Sequence, residues 1–139
     1  MYRLIYKSRC NDNINWDTIR DILNVSENNN QNNAITGVLL ASKTHFLQVL
    51  EGDFDAINNT FFTIAKDNRH DHIQLISFAP VEERLFAHWG MKGIGAFDFN
   101  VDLAEKLKTK YGSENDDLLF PTSEWKALAL IHETDLMNQ

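Results

Sequence analysis

One cysteine, two prolines and six glycines among 139 residues leave few structural devices other than a packed core. The lone thiol, Cys10, excludes an intrachain disulfide and a cysteine-based metal cage. No run of about 18 apolar residues occurs, so no segment reads as a membrane span. Cations are scarce too: 13 Lys and Arg face 20 Asp and Glu, for a formal net charge of -7. That balance argues against nucleic acid or an anionic membrane as partners, since both want clustered cations. Metal-ligand spacing, a nucleophile–base pair and a glycine-rich phosphate loop are all missing, so hydrolase and kinase chemistry has no support. The opening MYRLIYKSRC alternates like a strand and is unlike a secretory signal. Hydrophobic residues nevertheless make up 43%, enough to pack one domain, expected to be soluble and cytoplasmic.

Periodicity predicts the elements. Residues 2–8 read as a first strand, and NWDTIRDILNVSEN repeats Trp16, Ile19, Ile22 and Leu23 at helical spacing, with Asn15 or Asp17 placed to cap it. NNNQNN ends that helix. AITGVLLA is strand two, SKT a hairpin turn, and residues 45–51 strand three. A second helix opens after Gly52, carries Phe54, Ile57, Phe61 and Ile64 on one face, and ends near DNRHD. IQLISFAP and FAHWGMKGI read as strands four and five. The expected fold is α+β: a ferredoxin-like βαββαβ with an added fifth strand. The first three strands are apolar on both faces, and two helices cover only one. Two C-terminal helices, DLAEKLKTKYG and TSEWKALALIHETDLM, are expected to cover the other, with Gly112 stopping the first and Thr122 or Ser123 capping the second.

Gln48 is out of place in this pattern. It stands between Phe46 and Leu50 on an apolar strand face, where an unpaired amide costs roughly 1–3 kcal/mol. Tyr6 lies on the other central strand, close enough in this topology to bond it. Asn29 and Asn30 leave the first helix toward the same end, and Arg69 and His70 leave the second nearby. An amide, a phenol, apolar walls and an Arg/His pair between two helices suit a flat heterocycle bearing phosphates. Singly, each has a plainer reading: a core tyrosine with a wet hydroxyl, an amide serving a neighbouring backbone group, a solvated helix end, an asparagine-rich loop. Trp89 and Met91, two apart on the fifth strand, read as core.

Together these residues resemble the BLUF family, the blue-light sensors using FAD. The resemblance runs from about Tyr2 to Phe99 and rests on YRLIYKS, NNQNNAITGVLL, FLQVLEG, DNRH and HWGM, in that order. Short members with a helical tail, such as the cyanobacterial PixD type, are similar in layout. The resemblance implies a flavin-binding sensor domain over residues 1–99 and a helical extension over 100–139, packed on the sheet or at an interface. It implies FAD as the cofactor, with Tyr6 and Gln48 in a hydrogen-bonded chain reaching the isoalloxazine. Asn30 would hold the flavin C4 carbonyl and N3 edge, with Asn29, Arg69 and His70 at flanking positions. Ile22, Phe46, Ile64 and Asp67 would form walls. Trp89 and Met91 would compete for the place beside the glutamine. Thr63 departs from the pattern, where many relatives carry a long basic or imidazole side chain.

The function so implied is photoreception without catalysis. Light drives electron and proton transfer from Tyr6, Gln48 is left rearranged by rotation or tautomerisation, and the signal passes to a downstream protein. A homo-oligomer is expected, through the apolar residues of the tail. Other readings are a ferredoxin-like small-molecule regulator without photochemistry, and a flavin oxidoreductase. The second lacks a nicotinamide fingerprint, and the stretch after Phe99 is short for a catalytic domain, which usually needs about 50 residues or more.

Overall fold

The computed structural model describes residues 1–33 and 35–137, with the side chains of 25–33 and 137 also outside what is described. Five strands form one mixed sheet: β1 (Tyr2–Cys10), β2 (Thr36–Ala41), β3 (His45–Gly52), β4 (His70–Pro80) and β5 (Lys92–Gly95). Their spatial order is β4-β1-β3-β2-β5, with β5 parallel to β2 and the other neighbours antiparallel. The helices α1 (Trp16–Asn33) and α2 (Phe54–Ala65) make the two crossovers of the ferredoxin-like arrangement.

Strand alternation divides the core. Leu4, Tyr6, Leu39, Phe46, Gln48 and Leu50 face α1 and α2, where Ile19, Ile22, Ile57 and Ile64 meet them. Ile5, Val38, Leu40, Leu47, Val49 and Ile94 face the other way. The tail covers them: α3 (Val101–Tyr111) brings Leu107, and α4 (Glu124–Met137) brings Ala127, Leu130 and Ile131. Between these helices a small hairpin, β6 (Ser113–Glu114) and β7 (Asp117–Leu118), adds Leu118, and Phe120 follows it into the same core. The second cover expected from the two-faced apolar strands is therefore present.

The helix ends are set by local chemistry. Asn15 Oδ1 accepts from the Thr18 amide at 3.1 Å, capping α1, and Asn100 does the same for α3 through Leu103 at 2.8 Å. Gly112, at φ 101°, closes α3 by donating its amide to the Lys108 carbonyl at 2.8 Å. Ser123 stands one residue before α4, but its hydroxyl is buried without a partner and gives no cap.

Several boundaries differ from expectation. β2 starts at Thr36; Ala34 lies outside the described residues. α2 ends at Ala65, and β4 begins at His70, so His70 belongs to a strand. The largest difference is β5, which holds only Lys92–Gly95. Trp89 and Met91 precede it in an irregular connection, because the N–H groups of Leu85 and Phe86 bond the Glu51 carboxylate and Trp89 turns back onto Phe86.

Candidate functional site

Tyr6 and Gln48 are cross-strand partners in the β1–β3 register, which sets both side chains on the helix side of the sheet. Both are buried. The Tyr6 hydroxyl donates to Gln48 Oε1 at 2.5 Å. Burial, and secondarily the Asp67 carboxylate, push the phenol well above its usual range, so Tyr6 remains a neutral donor. Gln48 Nε2 in turn donates to Met91 Sδ at 3.6 Å. A thioether accepts but cannot donate, so it faces the amide nitrogen and leaves the oxygen to Tyr6. The thioether thus sets the amide orientation, and the hydroxyl donates to the oxygen that this leaves facing it. Against the Tyr6 ring packs Phe61, with centroids 5.4 Å apart.

Around this pair the walls are apolar. Ile22 of α1 and Phe46 of β3 share one buried cluster, and Ile64 of α2 lies with Tyr6 in the next. At the rim, Arg69 makes a two-nitrogen ion pair with Asp67 and reaches Asp21 of α1 at 3.1 Å. The Arg69 hydrogen bonds hold the Asp67 carboxyl below the usual carboxylate range, and Asp67 raises Arg69 further. His70 is buried below them. Its Nε2 donates to the Ile64 carbonyl at 2.6 Å, which leaves Nδ1 to accept from the Ser8 hydroxyl at 2.8 Å. The imidazole therefore ties β4 to α2 and β1, offering a neighbour its ring more than its nitrogens.

Some expected partners stand apart. Trp89 is on the opposite side of the sheet from Gln48, packed in the core under the tail. It stacks on Phe86 at 5.4 Å, with Lys92 Nζ 4.5 Å from its centroid. The Thr63 hydroxyl is turned back onto its own helix, donating to the Asn59 carbonyl at 3.0 Å. The side chains of Asn29 and Asn30 lie outside the described residues. Ser8, Asp21 and Glu51 were not singled out by sequence. Ser8 could have been found by its place two residues after Tyr6, on the same strand face.

A neutral phenol, a directed amide, a thioether, aliphatic walls and a cation at the rim match a planar heteroaromatic with hydrogen-bonding edges and an anionic extension. That donor set fits a flavin nucleotide.

A family model described as "BLUF: Sensors of blue-light using FAD" matches residues 1–92. The chain belongs to the BLUF family. BLUF proteins sense blue light using FAD, and this chain carries that domain. It is 29% identical over 100 residues to the blue light- and temperature-regulated antirepressor BluF of Escherichia coli (strain K12), covering 70% of this chain and 24% of the relative. It is 35% identical over 65 residues to photoactivated adenylate cyclase subunit beta of Euglena gracilis, covering 47% of this chain and 8% of that protein. The chain thus spans about a quarter or less of these two relatives. Two solved structures are similar over nearly their whole length. The dark state of BlrB superposes with a TM-score of 0.74 at 27% identity, over 99% of this chain and 96% of that one. BlsA in its photo-activated state gives 0.76 at 28%, over 96% and 93%. Among the described residues no helix is long and apolar enough to cross a membrane.

Proposed function

We propose that this BLUF protein is a non-enzymatic photoreceptor whose switch is the chain Tyr6–Gln48–Met91, with residues 1–99 as sensor and residues 100–139 as the extension that passes the state on. The observation that carries this reading is the directed amide: Gln48 takes the Tyr6 proton donor on one side and gives its own hydrogen to Met91 on the other. Bound flavin supplies a light-activated oxidant and a ring edge that accepts hydrogen bonds. Tyr6 is the electron donor, and its hydroxyl proton has one short exit, Gln48 Oε1. Gln48 holds that proton in transit and returns it to the phenol as the electron returns to Tyr6. A half-turn of the Gln48 amide then exchanges its oxygen and nitrogen, which removes its hydrogen from Met91, and this is the stored signal. Ile22, Phe46 and Ile64 exclude water from the ring, Arg69 and the neighbouring Asp67 define the polar rim, and Asn29, Asn30 and His70 are the further flavin-binding residues that the family resemblance implies, with Asn30 toward the C4 carbonyl and N3 edge.

The partners of this reading are a downstream protein and a second copy of the chain, both in the cytoplasm. Relatives named as an antirepressor and as photoactivated cyclases support an output onto other protein modules. The test is the absorption spectrum of the FAD-loaded protein before and after blue light, beside Tyr6→Phe. A small, reversible red shift is expected in the wild type and no productive cycle in Tyr6→Phe, which keeps the ring but loses the proton. An equal yield of the red-shifted state in Tyr6→Phe refutes the assignment of Tyr6.

A further inference from the structure

Glu51 is the only fully buried acidic side chain among the described residues. It follows Gln48 by three positions on β3 and points to the opposite face of the sheet. Both its oxygens are committed. Oε2 accepts from Arg3 Nε at 2.9 Å and from the Leu85 amide at 3.0 Å; Oε1 accepts from the Phe86 amide at 2.8 Å. Arg84 Nη1 adds bonds to the Glu51 carbonyl at 3.1 Å and to Thr36 Oγ1 at 2.9 Å. Residues 84–86 thus close on a single residue of β3. Further along, the Gly37 amide donates to the Trp89 carbonyl at 3.2 Å. A side chain at Gly37 would put its Cβ 1.9 Å from the Val49 carbonyl oxygen, so this approach is reserved to glycine. The connection has no regular structure of its own between Pro80 and Lys92, so Met91 is held between these bonds on one side and the β2–β5 pairing that starts at Lys92 on the other.

We propose that Glu51 is a positioning residue of the photoswitch: from the far face of the sheet it anchors residues 84–86 and thereby presents Met91 Sδ to Gln48 Nε2. Met91 favours the amide orientation described above, because a half-turn would set the Gln48 oxygen against the sulfur lone pairs. Glu51 therefore biases the switch toward that orientation. A carboxylate suits the task because three donors converge on it. A glutamine has one acceptor oxygen and would turn an N–H₂ toward another donor, leaving buried groups unpaired. The inference rests on the reading of Gln48 as the switch.

The test uses the full FAD-loaded chain with Glu51→Gln and Glu51→Asp, the latter keeping the charge but withdrawing it from the loop. In the dark, hydrogen exchange reads the Leu85 and Phe86 amides, and NMR reads the contact between the Met91 methyl and the Gln48 amide protons. Both amides should be protected in the wild type and exchange at least about tenfold faster in the variants, the loss of a hydrogen bond to a charged group. The Met91–Gln48 contact should disappear. After illumination the return to the dark state should slow by about fivefold or more, since one net hydrogen bond to the dark orientation is lost. The same substitution should add nothing in a Met91→Leu background. Leu130→Ala, a core cavity under the tail, should lower the melting temperature and leave the return rate unchanged, separating positioning from stability.

Freely exchanging Leu85 and Phe86 amides in the wild type overturn the proposal even if neither variant folds. So does a variant that keeps the Met91–Gln48 contact, or one whose return rate stays within about twofold of wild type, well below one hydrogen bond. If Gln48→Leu still cycles normally, the reading of Gln48 fails, while the dark NMR contact still decides whether Glu51 places Met91.

Discussion

Gln48→Leu separates the cost of the switch from its use. The side chain is wholly buried, and its oxygen is the acceptor of the 2.5 Å bond from Tyr6. Leucine fills similar space with no acceptor. The Tyr6 hydroxyl is then left in an apolar site, at a cost of about 1–3 kcal/mol. The introduced methyl groups offset part of this, since a leucine between Phe46 and Leu50 extends an apolar face. For a domain of this size the upper limit corresponds to a melting temperature lower by roughly 10 °C, and nearly complete offset leaves it unchanged. FAD should still bind, because Ile22, Phe46, Ile64 and Arg69 are untouched. The red-shifted state should vanish altogether, because Tyr6 loses its proton exit and no amide remains to turn. The assay is a thermal melt together with dark and illuminated absorption spectra on the same sample. A variant of Gln48→Leu that melts within this range, binds FAD and still shows the full red shift would refute the proton path through the amide.

Three further outcomes follow from charge and cover. The folded-state pKa of Asp67 is depressed, chiefly by its Arg69 hydrogen bonds, so its stabilisation is present above the ordinary carboxylate range and is lost as pH falls below about 4; Asp67→Asn should flatten the melting-temperature profile there, and an unchanged acid slope counts against the pair. Tyr6 is raised, so its neutral-phenol contribution is intact below about pH 10 and is lost on going higher; Tyr6→Phe should resist alkaline unfolding better than wild type, as measured by melts between neutral and strongly basic pH. A chain ending at Phe99 uncovers Ile5, Leu40, Leu47 and Val49, and should melt lower and hold FAD less stably; equal stability would show that α3 and α4 are dispensable as cover.

The sequence revealed most where two physical demands coincided. Alternation placed Leu4 and Tyr6 on one face of β1 and Ile5 on the other, and apolar residues on both faces required two covers. The positions of α3 and α4 followed from that. Gln48 was legible because a neutral amide between two large apolar residues needs a partner. The connection before β5 was not legible. HWGM alternates well enough for a strand, but what shapes it is a carboxylate on another element, Glu51, taking two loop amides. No local pattern encodes a side chain that arrives from 34 residues away. His70 was misplaced for a related reason. The polar DNRHD reads as a helix exit, whereas His70 is buried by Ser8 and the Ile64 carbonyl, partners set by sheet register.

The short β5 bears on how the two faces communicate. Trp89 and Met91 are two residues apart, and on a regular strand they would share a face. Here the irregular connection separates them: Met91 lies with Tyr6 on the helix side, Trp89 with Ile5 and Leu130 under the tail. Exchanging them beside Gln48 would break the Phe86 stack, the Lys92 contact and the Gly37–Trp89 backbone bond. Each is worth about 0.5–1.5 kcal/mol, so together they oppose the exchange by roughly 2–4 kcal/mol. That is large enough to keep Met91 in place at rest and small enough for a rearranged amide, no longer offering its N–H to the sulfur, to offset in part. Lys92, which caps Trp89, also pairs with Asp135 near the end of α4. Met91 and Lys92 are chain neighbours, so a movement of Met91 acts directly on a side chain paired with the tail. The reading requires amide exchange in residues 102–137 to change under light in the full chain, and to stop changing in Met91→Leu. Light-dependent exchange that persists in Met91→Leu would place the route to the tail elsewhere.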